Sequence, residues 1–420
     1  MQREALIGIG VCDIAGQLRG KMVPAPHRPA RIANGIGWSP VCAMVTCFGQ
    51  VADRGFGKGN DVMLMPDPAT EVEVDFGDGQ PRMHMLLADI VQLDGTAWAC
   101  CPRDFLRRAL ASLEQEFGLG VHVGFEHDFF HLGVAETPGG AFGFAALRAQ
   151  GSFGEHLVAA LNAAGVGPET FHAGYARQGY TVGFAPGPAL RAADRAVLLR
   201  ELTRTVAGHI GGRVSFAPML NPAGAGGGVR IHVSLLDAHG RHATYDPGEP
   251  LELTPRTRHF IAGWQRHAAA LCALTAPSAA SYLRLRPGGF APVRADVARQ
   301  EHEAAIRLYP VPTLPESNPA ASANVEFGAA DGAASPYLAL GALVWAGLEG
   351  LRAGAEPEAA GPDLPRGLAA ALDALEADAA AKSWLGAEFH GAYLAHKRAE
   401  LRDVAGLEEA AMCARYAEVY

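Results

Sequence analysis

The chain has no run of eighteen or more apolar residues, and its start, MQREALIGIG, lacks a basic stretch followed by a long apolar core. Neither a membrane span nor a secretory leader is expected, and the expected location is the cytoplasm. Cysteine is scarce. The seven thiols, Cys12, Cys42, Cys47, Cys100, Cys101, Cys272 and Cys413, are odd in number, scattered and without a CxxC pair, so buried free thiols are expected. A basic surplus is also missing: 35 Lys and Arg stand against 44 Asp and Glu, a formal net charge of -9. That balance disfavours nucleic acid or an anionic membrane as the main partner and leaves small-molecule chemistry. With 49% hydrophobic and 19% charged residues the chain is globular, and 420 residues without an internal repeat suggest two domains.

The most informative stretch is Val121 to Leu132, VHVGFEHDFFHL. Its period-two alternation of β-branched and aromatic residues reads as a strand, on which Glu126 and Asp128 share a face. Two carboxylates in apolar company need a metal, a cation or a shared proton; the plainer alternative is an edge strand whose polar side meets water.

Elements on either side can be read from turn and cap signals. ALIGIGVCDIAGQLRGKMVP is a hairpin with Asp13 and Gly16 at its turn; DVMLMPDPAT, EVEVDFG and MHMLLADIVQLDG are short strands. PRDFLRRALASLEQEF is an amphipathic helix that marks a boundary, giving expected domains of 1–100 and 101–420. A glycine-rich linker, the helix FGEHLVAALNAAG, the hairpin FHAGYARQGYTVGFAP and a long helix stopped at Gly211 and Gly212 follow. The strand VRIHVSLL, a helix over about Pro255 to Cys272, three stretches expected to be extended (SYLRLRPGGFAP, HEAAIRLYPV, SANVEFG) and a helical run from Ser335 complete the chain.

DVMLMPDPAT, PRDFLRRAL, GFEHDFF, IHVSL, YLRLRPGGFAPV, AAIRLYP and NVEFGAADGAASPYLA, in this order, resemble glutamine synthetase and its relatives, the γ-glutamyl-amine ligases, over essentially the whole chain. The resemblance implies an α+β protein: an N-terminal β-grasp domain on a C-terminal catalytic domain with a curved antiparallel sheet flanked by helices. It also implies a homo-oligomer of hexameric rings, and two Mg2+ or Mn2+ ions holding ATP while a glutamate is phosphorylated and an amine displaces the phosphate.

Residue by residue, the same resemblance implies that this machinery is thinned. Glu126, Asp128 and Glu326 stand at metal positions, but Gly174, Thr181 and Arg230 occupy the other three of six. His232 and Ser234 are kept, Arg284 keeps the substrate-carboxylate arginine, and Arg307 keeps a phosphate-binding one. Phe290 replaces the ammonium-deprotonating glutamate and His302 a second phosphate arginine; Asn324 and Gly328 replace further arginines, and Ala225 an asparagine that binds glutamate. Lost carboxylates weaken divalent-ion binding and lost arginines leave phosphoryl charge uncompensated.

Three functions follow as expectations: an enzyme on this fold acting on an amine or amino acid without ATP; a γ-glutamyl ligase with a reduced metal site at Glu126, Asp128 and Glu326; or a non-catalytic ring that binds a metabolite. The plain structural alternative is that the Arg230 guanidinium neutralises Glu126 and Glu326, leaving that cluster a scaffold without chemistry. In the functional reading Arg284 would hold a carboxylate, and His302 and Glu326 would move protons. His172 or His232 would ligate a soft metal or the iron of a haem filling the widened funnel.

Overall fold

The strand signals of the first hundred residues resolve into one mixed sheet, seen in a computed structural model that describes residues 3–134, 140–312 and 314–420. β1 (Leu6–Cys12) and β2 (Leu18–Pro24) make the expected hairpin, paired from Leu6 against Pro24 to Cys12 against Leu18. At its turn the Asp13 carboxylate accepts from the Gln17 amide and from Arg19. Gly16 sits there at φ 73°, where a Cβ would come within 2.7 Å of the Ala333 carbonyl, so backbone freedom and lack of side chain are both required. β3 (Ile36–Trp38), β4 (Val62–Pro66), β5 (Val72–Val74) and β6 (Met83–Gln92) complete the sheet in the order β2-β1-β6-β4-β3, with β5 on β6.

The helix Pro102–Phe117 begins with proline at its first turn and ends at Gly118 in the left-handed region, as its sequence predicts. It buries Phe105, Leu106, Ala109 and Leu113, and also Arg103. That guanidinium donates to Asp194 (2.9 and 3.0 Å), Asp89 (3.1 Å) and Asp67 (2.7 Å), while Tyr337 donates to Asp194 at 2.6 Å. Asp67 and Asp89 belong to the first sheet's region and Asp194 to the long helix Ala189–His209, so one arginine ties the two halves together.

The second sheet has nine strands: β7 (Gly120–Leu132), β8 (Pro168–Ala173), β9 (Gly179–Phe184), β10 (Gly187–Pro188), β11 (Arg213–Ser215), β12 (Val229–Leu236), β13 (Val297–Arg299), β14 (Ile306–Leu308) and β15 (Val325–Ala330). Their order is β13-β14-β15-β12-β7-β9-β8, with β10 and β11 also on β7, and every pairing but β13 with β14 is antiparallel. Helices flank it. Phe125, Phe129, Ile231 and Val233 are buried on one face, and polar side chains alternate onto the other. Among the described residues no helix is long and apolar enough to cross a membrane.

Three local expectations need correction, and part of one more lies outside the described residues. The helix over Pro255 to Cys272 is two, Pro255–Arg266 and Ala268–Thr275, broken at His267, whose Nδ1 pairs with Asp378 at 2.6 Å. SYLRLRPGGFAP is not extended: Ser278 and Ser281 exchange hydroxyl and amide hydrogen bonds that nucleate a short helix, Ser281–Arg284, and turns follow. The C-terminal run is five helices, interrupted between Gly354 and Gly367. The glycine-rich linker after β7 falls in part on 135–139, outside the described residues.

His396, in the helix Ala387–Asp403, is fully buried, with Nε2 against the Val45 carbonyl at 3.2 Å, and burial pushes its pKa down to about 3. His127, on the buried face of β7, is likewise held well below its ordinary value by burial. Both must stay neutral in the fold, whereas the unfolded chain takes up protons once the pH drops below about 6.5. Stability is therefore complete above that pH and lost on acidification. Each histidine contributes a slope of up to about 1.4 kcal/mol per pH unit. Melting curves from pH 7 to pH 4 should show the decline, and His396→Gln should flatten it; a melting temperature independent of pH over that range would contradict this account.

Candidate functional site

Strand register assembles the site. Arg230 on β12 lies opposite Glu126 on β7, Asp128 opposite Thr181 on β9, Thr181 opposite His172 on β8, and Glu326 on β15 opposite both His232 and Arg307. Because side chains alternate, these residues share one face of the sheet. An open cleft lies over that face, and Gly174, Ala225, Gly227 and Gly328 contribute little or no side chain to its lining.

Arg230 takes the place where a cation is needed. Its Nη1 lies 3.2 Å from Glu126 Oε2 and 3.5 Å from Asp128 Oδ1. Its pKa is raised, chiefly by Asp128 and against the opposing effect of burial, with Glu126 and Glu326 adding to it. Asp128 also accepts from Thr181 Oγ1 at 2.7 Å and from the Gly228 amide at 2.9 Å. The guanidinium was expected to neutralise Glu326 as well. That carboxylate instead accepts from Nε and Nη2 of Arg307, which is closer and equally buried. Two separate guanidinium–carboxylate units result.

Arg307 passes the arrangement on. Its Nη1 faces Nδ1 of the exposed His302 at 3.1 Å. Since guanidinium only donates, Nδ1 must accept, which places the imidazole proton on Nε2. His232 is fixed by Nδ1 against Asn324 Oδ1 at 3.0 Å. Its Nε2 is buried without a hydrogen-bond partner, 3.7 Å from Glu126 and 3.9 Å from Glu326. Ser234 is not part of the cleft chemistry: its hydroxyl fastens the Ala323 carbonyl at 2.8 Å. His172 lines the cleft, stacked on Phe142, and burial lowers its pKa despite Glu126 and Asp128.

Arg284 is 6% exposed at the end of its short helix. Nη2 donates to the Ala330 carbonyl at 2.8 Å, Asp331 lies 4.0 Å away, and Nε has no partner. Burial lowers its pKa and raises that of Asp331. A Cβ at Gly226 would come within 2.9 Å of Arg284 Cγ, and one at Gly228 within 3.0 Å of Nη1, so the glycine loop fits closely around this side chain. The sequence reading missed Thr181 as a partner of Asp128, and Phe142, Tyr175 and Tyr309 near the cleft; register against β7 would have identified the first, and nothing local signals the others.

Comparison with known proteins gives the family. The family described as "Glutamine synthetase N-terminal domain" matches residues 1–98, and "Glutamine synthetase, catalytic domain" matches 99–416. The chain belongs to the glutamine synthetase family. It is 32% identical to the γ-glutamylpolyamine synthetase GlnA3 of Streptomyces coelicolor over 96% of this chain and 91% of that one. It is 29% identical to a glutamine synthetase of Halobacterium salinarum over 89% and 85% of the two chains. A crystal structure described as that of a novel glutamine synthase homolog superposes with a TM-score of 0.96 at 38% identity, covering 100% of this chain and 99% of that one. The ADP complex of GmaS shares the fold alone, with a TM-score of 0.84 at 24% identity over 96% and 95% of the two chains.

Whether the family's paired divalent ions fit can be tested on the donor set. Two such ions need several free oxygen ligands, whereas Glu126, Asp128 and Glu326 are each engaged by a guanidinium. Among the described residues no cluster of three or more His, Cys, Asp or Glu could hold a metal ion. The two-ion arrangement does not fit, and no step is drawn through it. Haem does not fit either: the free nitrogen of His232 points between two carboxylates, and the His172 ring lies flat on Phe142.

Arg230→Ala would leave Glu126 and Asp128 facing each other. A loss of about 1–3 kcal/mol is expected, less than for a dry ion pair because a third of the guanidinium meets water. Removing one carboxylate as well, in Arg230→Ala with Glu126→Gln, should recover part of it. Urea unfolding of the two variants beside the unaltered protein measures both effects, and an unchanged Arg230→Ala would show that the pairs contribute nothing.

Proposed function

We propose that this chain is an amine- or amino-acid-handling enzyme of the glutamine synthetase family in which internal ion pairs replace the nucleotide-holding metals. The observation that carries this reading is Arg230, a permanent cation set between Glu126 and Asp128. Ligand binding would use Arg284, whose unpartnered Nε supports contact with a carboxylate. Glu326 orients Arg307, Arg307 fixes the tautomer of His302, and His302 Nε2–H is then available to donate a hydrogen bond to a substrate oxygen. Assembly into hexameric rings, as the family resemblance implies, belongs to the same reading and would appear as a ring mass in solution.

A second reading, an ATP-dependent γ-glutamyl ligase with one divalent ion, is favoured by two observations. The first is the likeness to the polyamine enzyme; the second is His232 Nε2, buried and unpartnered between Glu126 and Glu326. In that case Arg230 would have to swing away from Glu126.

One experiment separates the two. The purified protein is given ATP, glutamate and a panel of mono-, di- and polyamines with Mg2+ or Mn2+. Phosphate release and amide formation are expected to stay at background, and Mn2+ titration followed by electron paramagnetic resonance should find no tight site. Arg230→His, which exchanges the guanidinium for a ligand, should then gain Mn2+ binding. Turnover to a γ-glutamyl amide by the unaltered protein would overturn the first reading in favour of the second.

A further inference from the structure

Of five aromatic side chains among the described residues that stand largely in solvent, Phe142, Phe144, Tyr175, Phe290 and Tyr309, three meet at the mouth of the cleft. Tyr175 and Phe290 lie parallel, with ring centroids 5.6 Å apart and planes within 3°. Phe142 meets Tyr175 edge-on at 5.4 Å and stacks on His172 at 5.0 Å. These rings come from three separate stretches, yet they remain 57%, 62% and 70% exposed for Phe142, Tyr175 and Phe290. Solvent-exposed aromatics in mutual contact at a cleft mark a recognition surface, since no core accounts for them. Backbone geometry points the same way. Phe142 and Phe290 hold φ of 54° and 52°, a region bulky residues avoid and one that concentrates at ligand-binding positions.

Below the rings one cation keeps hydrogen-bonding capacity to spare. Arg230 is taken up by Glu126 and Asp128, whereas Arg284, six residues before Phe290 on the same segment, lines the cleft with its Nε unpartnered and Asp331 no closer than 4.0 Å. Glycines leave the intervening floor open. We propose that the cleft takes an aryl-substituted carboxylic acid, an aromatic amino acid being the simplest form. Its ring lies on the Tyr175–Phe290 pair beside Phe142, and its carboxylate is directed toward Arg284. This rests on the reading above that the site handles a small amino acid or amine, and it names the class.

Isothermal titration with L-phenylalanine tests it, alongside L-cyclohexylalanine, which has a similar shape without π-electrons, 2-phenylethylamine, which lacks the carboxylate, and tetramethylammonium. Phenylalanine should bind most tightly. Phe290→Leu should weaken it about 3- to 10-fold with little change for cyclohexylalanine, and Phe290→Tyr should restore it. The melting temperature serves as the check on folding, since Phe290 is exposed. Equal affinity for phenylalanine and cyclohexylalanine, tighter binding of tetramethylammonium, or no aryl binding with or without Mg2+ and ATP would each overturn the proposal. Phenylalanine binding that demands Mg2+ and ATP would leave the aryl assignment standing and sink the metal-free reading instead.

Discussion

The arrangement of this site depends on a single register: Arg230 stands across from Glu126 in an antiparallel pair. Strand pairing with a period of two decides which side chains share a face, so a slip of one residue would send Arg230 into the phenylalanine-lined core and leave Glu126 without a cation. Buried guanidinium without a carboxylate, or the reverse, is among the more destabilising defects a core can carry. Ion pair and strand pairing therefore enforce one another.

From that pairing the rest of the cleft follows outward. Asp128 is held by Thr181 on one side and by the glycine loop on the other. The loop in turn fits around Arg284. On the far side Glu326 and Arg307 form a second, independent unit that ends at His302. The charged face is thus divided into two units, Arg230 with Glu126 and Asp128 and Arg307 with Glu326, so that each of these carboxylates has a guanidinium beside it, which offsets much of the cost of gathering so many acids on one face.

Much of this was legible in the sequence because it is local or periodic. The Glu126 strand, the hairpin at Asp13 and the boundary helix starting at Pro102 each carry their own punctuation and appear where that punctuation sets them. The partner of Glu326 was not legible. Arg230 and Arg307 are the same residue type, and only the order β14-β15-β12-β7 decides that Arg307 is the nearer. SYLRLRPGGFAP misled because leucine and arginine alternate there as in a strand, while the serine hydroxyl pair that starts a helix is a three-dimensional fact. Phe142 and Tyr175 lie in stretches that read as connectors, and loops that converge from distant parts of a chain leave no periodic trace.

Arg103 carries a consequence for how the polypeptide comes apart. Its partners Asp67 and Asp89 precede it, whereas Asp194 and, through it, Tyr337 come long after. A truncation just before the helix Pro102–Phe117 would strand two acidic groups on one fragment and a buried guanidinium on the other. The amino-terminal sheet and the rest of the chain therefore share the burial of this guanidinium, and parting them would leave it with one of its three carboxylates.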